Sequence, residues 1–154
     1  MKRFAFRPAR AAAVILIGAA LPLAAAATAN ASTPLWGCTV DPKDPVFDHI
    51  SPTGDKVILY QYEITCAAGR TVEVEQHIHE EDPHSYTHIT DNTRSEHFST
   101  ADTVTKGWLN TLPQADVSGA EEMYHQVKFR VTTDDLAQSG WTAFEKSAVQ
   151  QFSN

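Results

Sequence analysis

Cysteine is nearly missing from this chain: Cys38 and Cys66 are the only two among 154 residues, so no Cys-x-x-Cys redox or zinc motif exists. Also absent are a Gly-x-Ser-x-Gly elbow, a phosphate-binding glycine loop and a dinucleotide fingerprint, which removes the common signatures of nucleophilic and nucleotide-dependent enzymes. Basic residues are few, with twelve Lys and Arg against nineteen Asp and Glu. No two arginines are adjacent, which excludes a twin-arginine export signal. The one long apolar run, Ala11 to Ala27, is interrupted by Gly18 and Pro22 and sits at the short limit for a membrane span.

That run has a positive head. Lys2, Arg3, Arg7 and Arg10 precede it without an acid among them, and Ala29-Asn30-Ala31 follows it with small side chains at the two positions a signal peptidase reads. Residues 1–31 therefore read as a signal peptide of the general secretory route, with cleavage expected after Ala31 and Ser32 as the first mature residue. Leu35-Trp36-Gly37-Cys38 has the outline of a lipobox, but it lies well past the apolar run and carries a bulky Trp before the Gly.

Removing the leader leaves 123 residues with eight basic and nineteen acidic side chains, a formal charge of −11. That length suits one domain with one core. Long-range repulsion makes nucleic acid and an anionic membrane surface unexpected partners, and favours an extracellular protein or polymer with a basic surface. Cys38 and Cys66 both survive cleavage and are expected to pair in an oxidising compartment, closing a loop worth roughly 3–4 kcal/mol.

Residues 32–55 carry Pro34, Pro42, Pro45, Pro52 and Gly54, which predicts an extended lead-in and a turn over 51–55 ahead of a single β domain over 56–154. Lys56 to Cys66 alternates, with Ile58, Tyr60, Tyr62, Ile64 and Cys66 on one face. Thr71 to His79 alternates too, placing Val72, Val74 and Ile78 inward and Glu73, Glu75, His77 and His79 outward. The Gly-containing turn between these strands predicts a hairpin. Tyr86–Thr90 and Ser95–Ser99 read as two short strands around an Asp91-Asn92 turn. Tyr124 to Thr132 is a further strand with Val127, Phe129 and Val131 inward. Residues 99–112 and 141–152 fit a helix by spacing, through Val104, Trp108 and Leu112 and through Trp141, Phe144, Ala148 and Phe152, but β-branched residues weaken the first and a strand competes for the second.

Leu112-Pro113, Tyr124 ahead of Val127-Lys128-Phe129-Arg130-Val131, and Ser139-Gly140-Trp141-Thr142-Ala143-Phe144 resemble the end of a fibronectin type III or immunoglobulin-like module. The resemblance implies an antiparallel β-sandwich used as a binding module, with no catalytic residues. It also requires a bulge, because Tyr124 is out of phase with Val127 and Phe129. The expected fold is thus mainly β, an antiparallel sandwich, with an α+β arrangement carrying helices over 99–112 and 141–152 as the alternative.

Five of the seven histidines fall in one stretch: His77, His79, His84, His88 and His97. Alternation puts His77 and His79 on one face, and Pro83 would turn the chain so that His84 or His88 folds back beside them. Two strand imidazoles and a third are a workable ligand set for zinc or copper. The competing readings are a plain polar stripe on a solvated sheet face and a patch that gains charge in mild acid. A small secreted hydrolase would need His125 beside Glu121 or Glu122. Trp36, Trp108 and Trp141 each lie in an apolar pattern, which predicts core packing. The leading expectation is a non-catalytic binding module or inhibitor, with metal binding next and hydrolysis third.

Overall fold

The chain folds, in a computed structural model that describes residues 33–82, 85–113 and 119–153, into strands with no helix among the described residues. These are β1 (Cys38–Pro42), β2 (Val46–Ile50), β3 (Lys56–Cys66), β4 (Arg70–Asp82), β5 (Ser85–Phe98), β6 (Asp102–Thr111), β7 (Ala120–Thr133), β8 (Glu145–Lys146) and β9 (Gln150–Ser153). The strands form two antiparallel sheets.

In the first sheet β3 is central. β6 covers one edge of it, from Cys66↔Asp102 to Val57↔Thr111. β1 and β2 lie end to end along the other, from Cys38↔Cys66 to Ile50↔Lys56. The proline-rich lead-in is therefore built into this sheet, and the 51–55 turn closes the β2–β3 hairpin with Gly54 at φ 93°. In the second sheet β4 is central between β5 and β7. The far edge of β7 is lined by the C-terminal chain through Ser139 N–H to Val131 O and Thr142 N–H to Phe129 O, each 2.9 Å, and then by β8 and β9.

The two sheets pack face to face because each has one apolar face. Val40, Tyr62 and Ile64 of the first meet Val72, Val74, Val127, Phe129 and Val131 of the second, and Ile58, Tyr60, Ile78, Leu112 and Met123 continue the core. Burying a side chain of this kind is worth roughly 1.5–3 kcal/mol. Cys38 and Cys66, both buried, are joined by a disulfide across the β1–β3 ladder. At the open side, Lys106 Nζ of β6 reaches Glu96 of β5 at 2.7 Å, bridging the free edges of the two sheets.

Several expectations change. The two alternating strands β3 and β4 do not form a hairpin. The turn at Ala67–Gly69, with Gly69 at φ 69°, carries the chain from one sheet to the other. Alternation reports one buried face per strand and is silent on which sheet owns it. The proposed Asp91-Asn92 turn is absent, since β5 runs unbroken from Ser85 to Phe98 with both residues paired to β4. The α+β alternative falls. Residues 102–111 are strand β6, where Thr103, Val104, Thr105 and Thr111 favour a pleated surface, and 141–152 is extended chain that includes β8 and most of β9.

The tryptophans also differ from expectation. Trp36 (44 % exposed) sits at the tip of a tight turn closed by mutual Leu35–Cys38 backbone bonds, where both Trp36 and Gly37 have positive φ. Trp141 (37 % exposed) lies on the outer face of the second sheet, and only Trp108 packs against the core.

Candidate functional site

The outer face of the second sheet carries the chemistry. Period-two geometry sends Glu73, Glu75, His77, His79 and Glu81 of β4 outward, and antiparallel pairing sets Arg130, Lys128, Gln126 and Tyr124 of β7 beside them. No bulge interrupts the β4–β7 ladder, so Tyr124 stays out of phase with the core and joins this face against His79.

A bulge does occur on the other side of β4. Thr90 pairs with Ile78, but His79 pairs with His88, which leaves Ile89 as the extra residue. An uninterrupted ladder would turn His88 to the inner face. The bulge turns it outward, together with Tyr86. His77, His79, His88, Tyr86, Tyr124 and Gln126 then surround a cleft of about 480 Å³.

His79 is the floor. Although on the outer face, it is only 3 % exposed. Its ring stacks on Tyr124 with centroids 5.0 Å apart and meets Tyr86 edge-on at 5.5 Å. Its Nε2 contacts the Gln126 amide nitrogen at 3.2 Å, and its Nδ1 is buried without a hydrogen-bond partner among the described residues. Burial, with smaller contributions from His88, His77 and Lys146, pushes its pKa down to about 4, so the ring is neutral near pH 7. The His88 ring lies 5.3 Å from both His77 and His79, which are 6.1 Å apart.

His77 is held from behind. Its Nε2 meets Glu75 Oε1 at 2.7 Å, and the same oxygen takes an ion pair from Lys128 at 3.0 Å. Burial pushes the Glu75 carboxyl up, but hydrogen bonds from Lys128 and His77 outweigh it and hold it below the usual glutamate range. Lys128 lies over both the Trp141 and Phe144 rings, Arg130 lies over Trp141 while paired with Glu73, and Lys146 sits 3.7 Å over the Tyr124 ring while bound to Glu81. The cations of this face are thus neutralised by neighbours, and the cleft presents imidazole, amide and aromatic groups.

This chain matches no protein-family model, no curated protein and no solved structure. What the site does must come from its own geometry.

Of the histidines singled out by sequence, His77, His79 and His88 come together. His84 lies outside the described residues. His97 shares the face at its far end, where Nδ1 meets Thr71 Oγ1 at 3.1 Å. In the arrangement described, no group of three or more His, Cys, Asp or Glu side chains among the described residues is set to hold a metal ion.

His125 points inward and is fully buried. Its Nε2–H donates to Lys43 O at 2.6 Å and its Nδ1 accepts from Gln76 Nε2 at 2.8 Å, which leaves no ring nitrogen for Glu121 or Glu122. Burial pushes its pKa down to about 4 against smaller opposing effects of Lys43 O and Asp44. Sequence reasoning missed Tyr86, Tyr124 and Gln126 as parts of a site. The parity of Tyr124 with Gln126 was the available signal.

Proposed function

We propose that this protein is exported, loses residues 1–31, and acts as a non-catalytic binding module that meets an extracellular protein or polymer with the outer face of its second sheet. The observation that carries the reading is the cleft around His79. A solvated sheet face ordinarily leaves its polar side chains in water, whereas here an imidazole is buried among two tyrosines and an amide, with one nitrogen unmet by the described residues. An aromatic-walled concavity with a few convergent polar groups is the common form of a ligand site.

Export is supported by the buried Cys38–Cys66 disulfide, which suits an oxidising compartment. Among the described residues no helix is long and apolar enough to cross a membrane. The expected partner is basic where it meets this face, because Glu73, Glu75, Glu81, Asp91 and Glu122 outnumber Lys128, Arg130 and Lys146 on it. Both ring nitrogens of His125, the one imidazole of the supposed hydrolytic site, are taken by Lys43 O and Gln76, so that reading has no support from the arrangement around it.

The test is capture from concentrated culture medium by immobilised mature protein, at low and high salt, beside a Tyr86→Ala/Gln126→Ala variant. A partner held by the wild type, released by salt and lost by the variant is the expected result. Equal retention by the variant would move the interface off this face, and no salt-sensitive partner at all would overturn the reading.

A further inference from the structure

We propose that His77, His79 and His88 are the ligands of a transition-metal site, taking Zn(II) or Cu(II) in the outer-face cleft. The inference rests on the reading of that cleft as the binding site and gives it a ligand class.

Ring spacing is the first argument. An ion bound by imidazoles at about 2.0–2.1 Å in tetrahedral geometry sets the ring centroids roughly 5 Å apart. The three rings are 5.3, 5.3 and 6.1 Å apart, so they already surround a space of the right size. The bulge at His79 is what brings the third ring to this face, and bulges that re-aim a side chain are a common device beside sites.

The second argument is what stands behind the rings. Metal-binding histidines use their other nitrogen on a carboxylate, carbonyl or similar acceptor, which fixes the ring and raises its basicity. His77 does this with Glu75 at 2.7 Å, a carboxylate itself anchored by Lys128. His79 has the Gln126 side chain in the same place, and that amide turned by half a turn accepts from Nε2–H. Both arrangements leave Nδ1 as the donor. In His79 that nitrogen is buried and has no partner among the described residues, which is a cost unless something occupies it.

The donors do not converge as the rings stand, so the ion must draw them in. The final side-chain torsion of histidine is broad and shallow, so the exposed His88 ring turns at little cost and without displacing the core. An all-imidazole set suits zinc and copper and suits calcium or magnesium poorly.

Calorimetric titration of the folded mature protein with zinc chloride and copper sulfate tests the site, with His88→Ala, a His77→Ala/His79→Ala pair and His97→Ala as a same-face control. One equivalent bound at micromolar concentration, weakened at least tenfold by His88→Ala and unchanged by His97→Ala, is expected. Nitrogen hyperfine structure in the copper spectrum should simplify in His88→Ala, a readout that a merely misfolded variant would not mimic if its circular dichroism is unchanged. Binding only above millimolar, or equal binding by His88→Ala, overturns the site, as does loss in His84→Ala with none in His88→Ala. Absent metal binding with partner capture still lost in Tyr86→Ala/Gln126→Ala would remove the ion and leave the binding module standing.

Discussion

His79 and His125 lie on adjacent strands of one sheet, both almost wholly buried, and burial pushes both pKa values down to about 4. They differ in completion. His125 faces the core, packs edge-on against Tyr60 at 5.8 Å, and has both nitrogens bonded to Lys43 O and Gln76. His79 faces the opposite side, stacks on Tyr124, and has one nitrogen with no partner among the described residues. A buried polar group whose bonds are all made inside the protein stabilises a fold. One left incomplete beside a cleft costs stability, and that cost is the mark of a place where something else binds. Substitutions at the two positions should therefore separate structure from function.

The largest effect is expected from His125→Ala. It removes a core ring and strands both the Lys43 carbonyl and the Gln76 amide, a combined loss of about 3–4 kcal/mol. Urea unfolding of the purified variant measures it. A loss under about 1 kcal/mol would break the comparison by showing that the inner network carries little.

The pH dependence of stability comes next. The folded pKa of His125, about 4, lies below the ordinary 6.5, so as pH falls the unfolded chain takes up the proton first. The contribution of the neutral ring is whole above about pH 6.5, shrinks between about 6.5 and 4, and is gone below that, amounting to about 3 kcal/mol in all. Unfolding midpoints from pH 7 to pH 4 should fall more steeply for the wild type than for His125→Gln. Parallel slopes would show that this ring does not drive the acid sensitivity.

Smaller again is Arg130→Ala on the outer face. Arg130 pairs with Glu73 at 2.6 Å and lies over Trp141, but both partners are partly exposed, so the pair is screened and worth roughly 1 kcal/mol with its packing. A loss as large as that of His125→Ala would mean the outer face is structural and not a surface reserved for a partner.

Much of the fold was legible because β3, β4 and β7 each bury one face, and period-two alternation records that directly. Their sheet membership was not, since Ala67–Gly69 turns the chain equally well into a hairpin or across the sandwich. β6 was obscured by Val104, Trp108 and Leu112, whose spacing also fits a helix, and only the pairing with β3 decides between them. At the site, His77 and His79 shared a face by parity alone. His88 did not, because its orientation depends on one extra residue, Ile89, and a one-residue slip reverses every side chain beyond it. Tyr124 was readable as out of phase, but the repair expected by a bulge in β7 never occurs, and that is how a tyrosine from an apolar-looking strand reaches the cleft.

His79→Leu should change stability least and the function most. Leucine keeps the apolar contacts with Tyr124 and Tyr86 while removing the Nδ1 that has no partner among the described residues, and it leaves the Gln126 amide at a partly exposed position where water can reach it. Replacing an unmet buried polar group by an apolar one of similar size is close to neutral or stabilising, so the unfolding free energy should stay within about 1 kcal/mol of wild type or rise. Binding in the cleft should nevertheless be lost, whether read by metal titration or by partner capture. That pairing of an intact fold with a missing activity is what a site predicts and a structural histidine does not. If His79→Leu instead destabilises as strongly as His125→Ala, the two histidines are equivalent, and the outer cleft is a second core.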